Sequence, residues 1–353
     1  MAGSRSPFFP GDNLCVLPVN AESQLLAMPH SAASEPQAQA VAGVSAAYTV
    51  RQVRIMARLP AEMRRLAVFA MAVALAAAAQ EAEPLFRSGV TLVRVDAEAL
   101  DAAGQTLTGM KKEDFRVFDE GIEQLVVSFS FEAEPLDLIL LFDVSGSMRS
   151  KLLRVVRAVE LGFHELKPGD RVCVMAFNSS SLEVAPFTDD LEAVNQTVVL
   201  KVLGLRFGGS SNPGWGAADA ALRFRREPKG QRRRAVLVIT DKTGSTPAGV
   251  QAAVRELWES DAVMSELVIG NSPDTQVLAR GGSVVARETG GATVVAGDPG
   301  PSFQTAVRLL RRRYTLYYAS PGGTPGSERR TEVRSSVAGA RVRARSGYVV
   351  RAE

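Results

Sequence analysis

Two rhythms of apolar residues divide the chain. Residues 89–131 read as short strands with turns. Val90, Leu92, Val93 and Val95 open one strand, and Asp101-Ala102-Ala103-Gly104 supplies turn chemistry. Residues 111–114 predict a single helical turn. Phe115-Arg116-Val117-Phe118 runs into Asp119-Glu120-Gly121, a hairpin signal, and Leu125, Val127, Phe129 and Phe131 then alternate on one face. At Asp137 the rhythm changes. Leu138-Ile139-Leu140-Leu141-Phe142 is unbroken apolar sequence, as expected of a parallel strand buried on both faces. Further strands are predicted at 171–177, 235–240, 263–269 and 293–295. They are interleaved with helices at 152–166, 192–203, 217–226, 250–260, 276–288 and 303–313. Residues 314–319, 331–337 and 341–348 return to β character around a Gly/Pro/Ser loop at 321–330.

Strands alternating with helices predict an α/β unit: a doubly wound, mostly parallel sheet covered on both faces. The flanking β regions, 84–134 and 314–350, are each too small to bury a core alone. They are expected to join into one small β-sandwich, with residues 135–313 inserted between them.

Composition narrows the function. Aromatic residues make up 6%, too few for a stacking platform on single-stranded nucleic acid. The first 79 residues hold six Lys/Arg and four Asp/Glu, leaving 35 of the 41 basic and 34 of the 38 acidic residues for the rest. The folding part is thus nearly neutral, and charge gives no case for nucleic acid. Cys173 lies in the apolar run 172–177 and reads as a core thiol; Cys15 is the other cysteine, and no disulfide framework or CxxC site exists. With His30 and His164 as the two histidines, zinc catalysis and histidine-based triads have no basis. The chain also lacks a P-loop, a dinucleotide-binding glycine fingerprint and a GxSxG elbow, so it is read as no enzyme.

Residues 63–79 have the three parts of a secretory signal peptide. Arg64 and Arg65 form the positive region, 66–79 is an uncharged apolar run, and Ala77-Ala78-Ala79 fits the small-x-small cleavage rule. The run is too short for a comfortable membrane span, which needs about 20 residues. The upstream stretch 1–62 is rich in Ala, Ser, Pro and Gln. It reads as a disordered or mis-called segment, with translation expected to start at Met63 or Met56. The protein is therefore expected outside the cytoplasm, secreted or periplasmic, with no stable membrane span after cleavage.

The candidate chemistry lies just past the first buried strand, where open α/β sheets bind ligands. Asp143-Val144-Ser145-Gly146-Ser147 offers one carboxylate and two hydroxyls at i, i+2 and i+4, with a Gly that permits the turn. Such hard oxygen donors suit Mg²⁺ or Ca²⁺.

In these residues the chain resembles the von Willebrand factor type A (VWA) family, whose fold is Rossmann-like. The resemblance implies a metal site with Asp143, Ser145 and Ser147 as its first motif. It adds Ser210 or Ser211 from the Gly208-Gly209-Ser210-Ser211-Asn212 loop, where the family usually has Thr, and Asp241 at the end of Val238-Ile239-Thr240-Asp241. The family usually has Gly after that Asp; here Lys242 stands beside it, and Asn212-Pro213-Gly214-Trp215-Gly216 reads as an insertion. More narrowly, Phe86-Arg87-Ser88-Gly89-Val90, Lys112-Glu113-Asp114-Phe115, Tyr314-Thr315-Leu316-Tyr317-Tyr318 and the ending 342–348 resemble the secreted "VWFA-related" proteins of Acidobacteria.

These features predict an extracytoplasmic adhesion protein. An Mg²⁺ ion (or Ca²⁺ or Mn²⁺) would engage an Asp or Glu carboxylate of a protein partner, with Trp215 as an apolar anchor at the rim. The alternative is an envelope scaffold or assembly module whose metal site is not used. The basic runs 223–234 and 311–313 read as solvated or ion-paired surface.

Overall fold

The computed structural model describes residues 91–351, apart from 229, 231, 243–244 and 271–282. The upstream stretch, the signal-like run and the first part of the helix expected at 276–288 lie outside the described residues.

The parallel part begins with β5 (Leu136–Asp143), α1 (Arg149–Val156) and α2 (Val159–Phe163), followed by β6 (Arg171–Phe177), β7 (Ser181–Thr188) and α3 (Leu191–Thr197). Next come α4 (Pro213–Arg223), β8 (Arg233–Thr240), α5 (Pro247–Glu259) and β9 (Ala262–Ile269). It closes with α6 (Val284–Thr289), β10 (Thr293–Ala296) and α7 (Pro299–Arg311). The six strands lie in the order β10-β9-β8-β5-β6-β7, and all neighbours are parallel except β6 with the edge strand β7.

The unbroken apolar run of β5 is explained by its two faces. Leu138, Leu140 and Phe142 point into a core shared with Leu152, Val155, Val159, Phe303 and Val307 of α1, α2 and α7. Ile139 and Leu141 point the other way, onto Ala217 and Ala221 of α4 and Leu257 of α5. Each such buried side chain contributes about 1.5–3 kcal/mol relative to exposure. Cys173 belongs to the second core, where burial pushes its thiol up to about 12.

Three helices begin on the same device, a capping side chain followed by Pro at the first helical position. Asn212 accepts from the amides of Gly214 and Trp215, Thr246 from Gly249 and Asp298 from Gly300. The segment expected as an insertion at 212–216 is thus the first turn of α4. The helix expected at 152–166 is two shorter ones, and Gly162 of α2 sits so close to Phe303 that a Cβ would lie 2.4 Å from its ring.

The flanking segments form two antiparallel sheets. One has the order β13-β1-β11-β4 and the other β14-β12-β2-β3. Their strands are β1 (Leu92–Leu100), β2 (Phe115–Asp119), β3 (Ile122–Gln124) and β4 (Val126–Phe131) from before the α/β part. From after it come β11 (Tyr314–Ala319), β12 (Glu328–Ser335), β13 (Arg341–Arg343) and β14 (Gly347–Val349). β1 is held between β11 and β13, and β2 between β12 and β3, so each sheet needs strands from both ends of the sequence. Val95, Ala97, Val117, Tyr314, Leu316 and Tyr318 form the common core. Asp119 is buried there and accepts from the Tyr318 and Tyr348 hydroxyls at 2.8 and 2.9 Å and from Arg329. No helix among the described residues is long and apolar enough to cross a membrane.

Candidate binding site at the strand ends

β5 delivers Asp143 to the C-terminal edge of the parallel sheet, where the chain turns sharply into α1. Its Oδ1 accepts from the Ser145 amide at 2.8 Å, a local turn that Asp favours. Its Oδ2 accepts from the hydroxyls of Ser211 (2.8 Å) and Thr240 (2.7 Å). Ser145 and Ser147 place their hydroxyl oxygens 3.3 Å apart, and Ser147 donates to Asp241 Oδ1 at 3.1 Å. The Lys151 ammonium, one turn into α1, donates to Asp241 Oδ2 at 2.7 Å. Lys242 reaches Ser211 Oγ at 3.4 Å, while its amide donates to Thr240 Oγ1. Asp143, Ser145, Ser147, Ser211 and Asp241 are therefore brought together in one hydrogen-bonded constellation, with Ser210 exposed beside it. Thr240 and Lys151 are members to which the motif spacing assigns no role. Lys151 stands four residues after Ser147, the spacing that returns a helical side chain to the same face.

Residues 138–244 match the profile described as the von Willebrand factor type A domain. The chain contains a von Willebrand factor type A domain. No curated protein matches it. Solved structures similar to the chain include the von Willebrand factor type A protein from Catenulispora acidiphila, at 15% identity over 76% of each chain with a TM-score of 0.42. An aerotolerance-related membrane protein from Bacteroides fragilis is similar at 15% identity, over 50% of this chain and 98% of its own, with a TM-score of 0.40. The PilB minor pilin from Streptococcus sanguinis is similar at 14% identity, over 51% of this chain and 61% of its own, with a TM-score of 0.37.

The donor set corrects the expectation of a metal-dependent adhesion site. Among the described residues no three His, Cys, Asp or Glu side chains gather into a group able to hold a metal ion. The constellation of Asp143, Ser145, Ser147, Ser211 and Asp241 supplies two carboxylates, and the Lys151 and Lys242 ammonium groups lie within it. Both oxygens of each carboxylate already accept from protein amide, hydroxyl or ammonium donors. A divalent Mg²⁺, Ca²⁺ or Mn²⁺ would have to displace those donors while facing two like charges, with no further carboxylate to offset them. The predicted cofactor and the metal-mediated capture of a partner's Asp or Glu carboxylate do not fit these residues.

Two other predicted features have defined places. Trp215 stands in the first turn of α4 beside this constellation with 49% of its surface exposed, and its indole touches the space above Gly249. The run 311–313, expected as solvated or ion-paired surface, is ion-paired, but two of its three arginines lie inside the protein. Arg311 and Arg313 are buried, Arg313 lying 3.6 Å from the buried Glu98, and Arg233 caps the helix by donating to the Leu310 and Arg311 carbonyls.

Proposed function

We propose that this chain is a non-enzymatic scaffold or assembly module of the cell envelope, whose VWA loop face binds a protein partner without a metal ion. The observation that carries this reading is Trp215, a half-exposed indole at the rim of a loop constellation whose carboxylates are spent on the protein's own donors. Trp is enriched at binding hot spots because a rigid, amphipathic ring buries much area at little entropic cost. In this reading Asp143, Ser145, Ser147, Ser211 and Asp241 are structural pins that hold three loops in one arrangement, and residues 84–134, 135–313 and 314–350 are the building units. The signal-like composition of 63–79 and the resemblance to secreted "VWFA-related" proteins of Acidobacteria support a place outside the cytoplasm.

The test is capture of envelope proteins on the immobilised full chain, with and without EDTA, using wild type and Trp215→Ala. The expected result is a captured set unchanged by EDTA and reduced at least tenfold by Trp215→Ala. Capture that EDTA abolishes, or that Trp215→Ala leaves intact, would overturn the reading.

A further inference from the structure

At the opposite end of the parallel sheet, the sandwich and the VWA domain enclose two cavities of about 560 and 580 Å³ that share Arg94, Asp261, Pro325, Val349, Val350 and Arg351 in their walls. They form one continuous cleft. The walls carry seven arginines against three carboxylates. Asp261, at the turn between α5 and β9, faces most of this charge. It accepts from Arg345 at 2.6 Å and from Arg351 at 2.5 Å, and its carbonyl accepts from Arg94. Burial pushes the Asp261 carboxyl up, but Arg345, Arg351 and Arg94 outweigh it and hold it down at about 2.

One carboxylate cannot satisfy these forks. Arg234 donates to the Ser260 carbonyl and lies over the Phe224 ring, and no ion pair to a carboxylate is made by it among the described residues. Arg94 bonds to the carbonyls of Arg232 and Asp261. Arg345 is 7% exposed, and its Nε has no hydrogen-bond partner among the described residues although it lines the second cavity. Each guanidinium has five N–H donors and no acceptor, so what is missing here is a planar oxyanion.

We propose that this cleft binds an acidic peptide segment of a partner protein, its carboxylates engaging Arg94, Arg234, Arg345 and Arg351 and its apolar side chains resting on Pro325, Val349 and Val350. The walls favour a peptide over a nucleotide. The two aromatic rings that line the cleft are buried and covered by arginines, Phe224 by Arg234 and Tyr348 by Arg345, leaving no free face on which a base would stack. The combination of apolar wall and guanidinium forks matches a chain that alternates acidic and apolar residues.

The test is fluorescence anisotropy of a fluorescein-labelled heptapeptide of alternating Glu and Leu, titrated with the full chain. Its Gln-for-Glu counterpart, AMP and inorganic phosphate serve as competitors. The acidic peptide is expected to bind saturably, to weaken with salt, and to weaken at least tenfold with Arg351→Glu and with Arg234→Gln. Arg334→Gln, on a distant exposed pair with Glu332, leaves binding unchanged. Should Arg234→Gln fail to fold, Arg351→Glu decides alone, because Arg351 is 45% exposed and outside the strands. Equal binding of the Gln peptide, wild-type affinity in Arg351→Glu, or tighter binding of AMP or phosphate than of the peptide would each overturn the proposal. Trp215→Ala is expected to bind the peptide as wild type does, so failure at the cleft and failure at the loop face are separately visible.

Discussion

The two ends of the parallel sheet solve charge in opposite ways. At the strand C-termini, Asp143 and Asp241 are surrounded by the hydroxyls of Ser147, Ser211 and Thr240, and by Lys151. At the junction with the sandwich, guanidinium groups crowd together with fewer acceptors. Among the described residues, the buried Arg313 has two terminal nitrogens without hydrogen bonds, and the buried Arg233 Nε also lacks one. The difference lies in the side chains used. A hydroxyl both donates and accepts, so a cluster of hydroxyls can rotate until it is internally satisfied; an arginine can only donate. The loop end closes on itself, whereas the junction keeps a demand for oxygen acceptors.

The largest effect should come from removing an acceptor at the junction. Glu98 is fully buried and faces Arg313 at 3.6 Å and Arg343 at 2.9 Å. Glu98→Ala leaves Arg313 buried without its nearest carboxylate, the more remote Asp96 offsetting only part of the charge, and is expected to cost about 3–5 kcal/mol in urea unfolding. A loss below about 1 kcal/mol would break the comparison, since it would mean that the junction has acceptors to spare.

Glu266, in the middle of β9, has the reverse problem: a buried carboxylate whose Oε2 has no donor among the described residues. Burial raises its carboxyl to about 7, against a partly offsetting hydrogen bond from Ser283. A folded value above the unfolded one gives stability that is complete below about 4.5 and declines as pH rises through about 7, amounting to roughly 3 kcal/mol. Glu266→Gln should therefore gain on wild type between pH 5 and 8 and show no gain at pH 4. A difference between the two proteins that stays constant across that range would sink the assignment.

The smallest effect is expected at the loop end. Ser211→Ala removes one of three donors to Asp143 and should cost about 1 kcal/mol. Thermal denaturation would give the same loss in magnesium and in EDTA. Stabilisation of the wild type by magnesium, lost in the variant, would contradict a self-satisfied loop end.

Much of this architecture was legible in the chain. The unbroken run 138–142 and the alternation of strand and helix identify a doubly wound sheet because a strand buried on both faces has no polar positions to offer. The flanking β regions were recognisable as one sandwich because neither could bury a core alone. Apolar period alone places three helix starts at 217, 250 and 303, three to four residues late, because the true starts are marked by the cap-Pro pairs Asn212-Pro213, Thr246-Pro247 and Asp298-Pro299. The strand β7 escaped because Pro186 interrupts it, which an edge strand tolerates. At the candidate site the DxSxS spacing located the right loop but not its chemistry. The motif says where oxygens converge; it is Lys151 and Thr240, from a following helix turn and a distant strand, that decide what those oxygens bind.

The interleaving of the two sandwich sheets also bears on the order in which the chain can assemble. β4 and β11 are hydrogen-bonded neighbours, with Phe131 opposite Tyr314, although the whole α/β part separates them. The ends of that part meet, the Glu132 amide donating to the Arg313 carbonyl at 3.1 Å. Once folded, the inserted domain acts toward the sandwich as a two-ended clasp, in effect a very large hairpin turn. Closing a loop of that length from a disordered chain is entropically slow work, and a prefolded insert removes most of it. The order expected from this geometry is insert first and sandwich second. Until the last strands are synthesised, β1 and β2 stand with open edges that invite pairing with other chains.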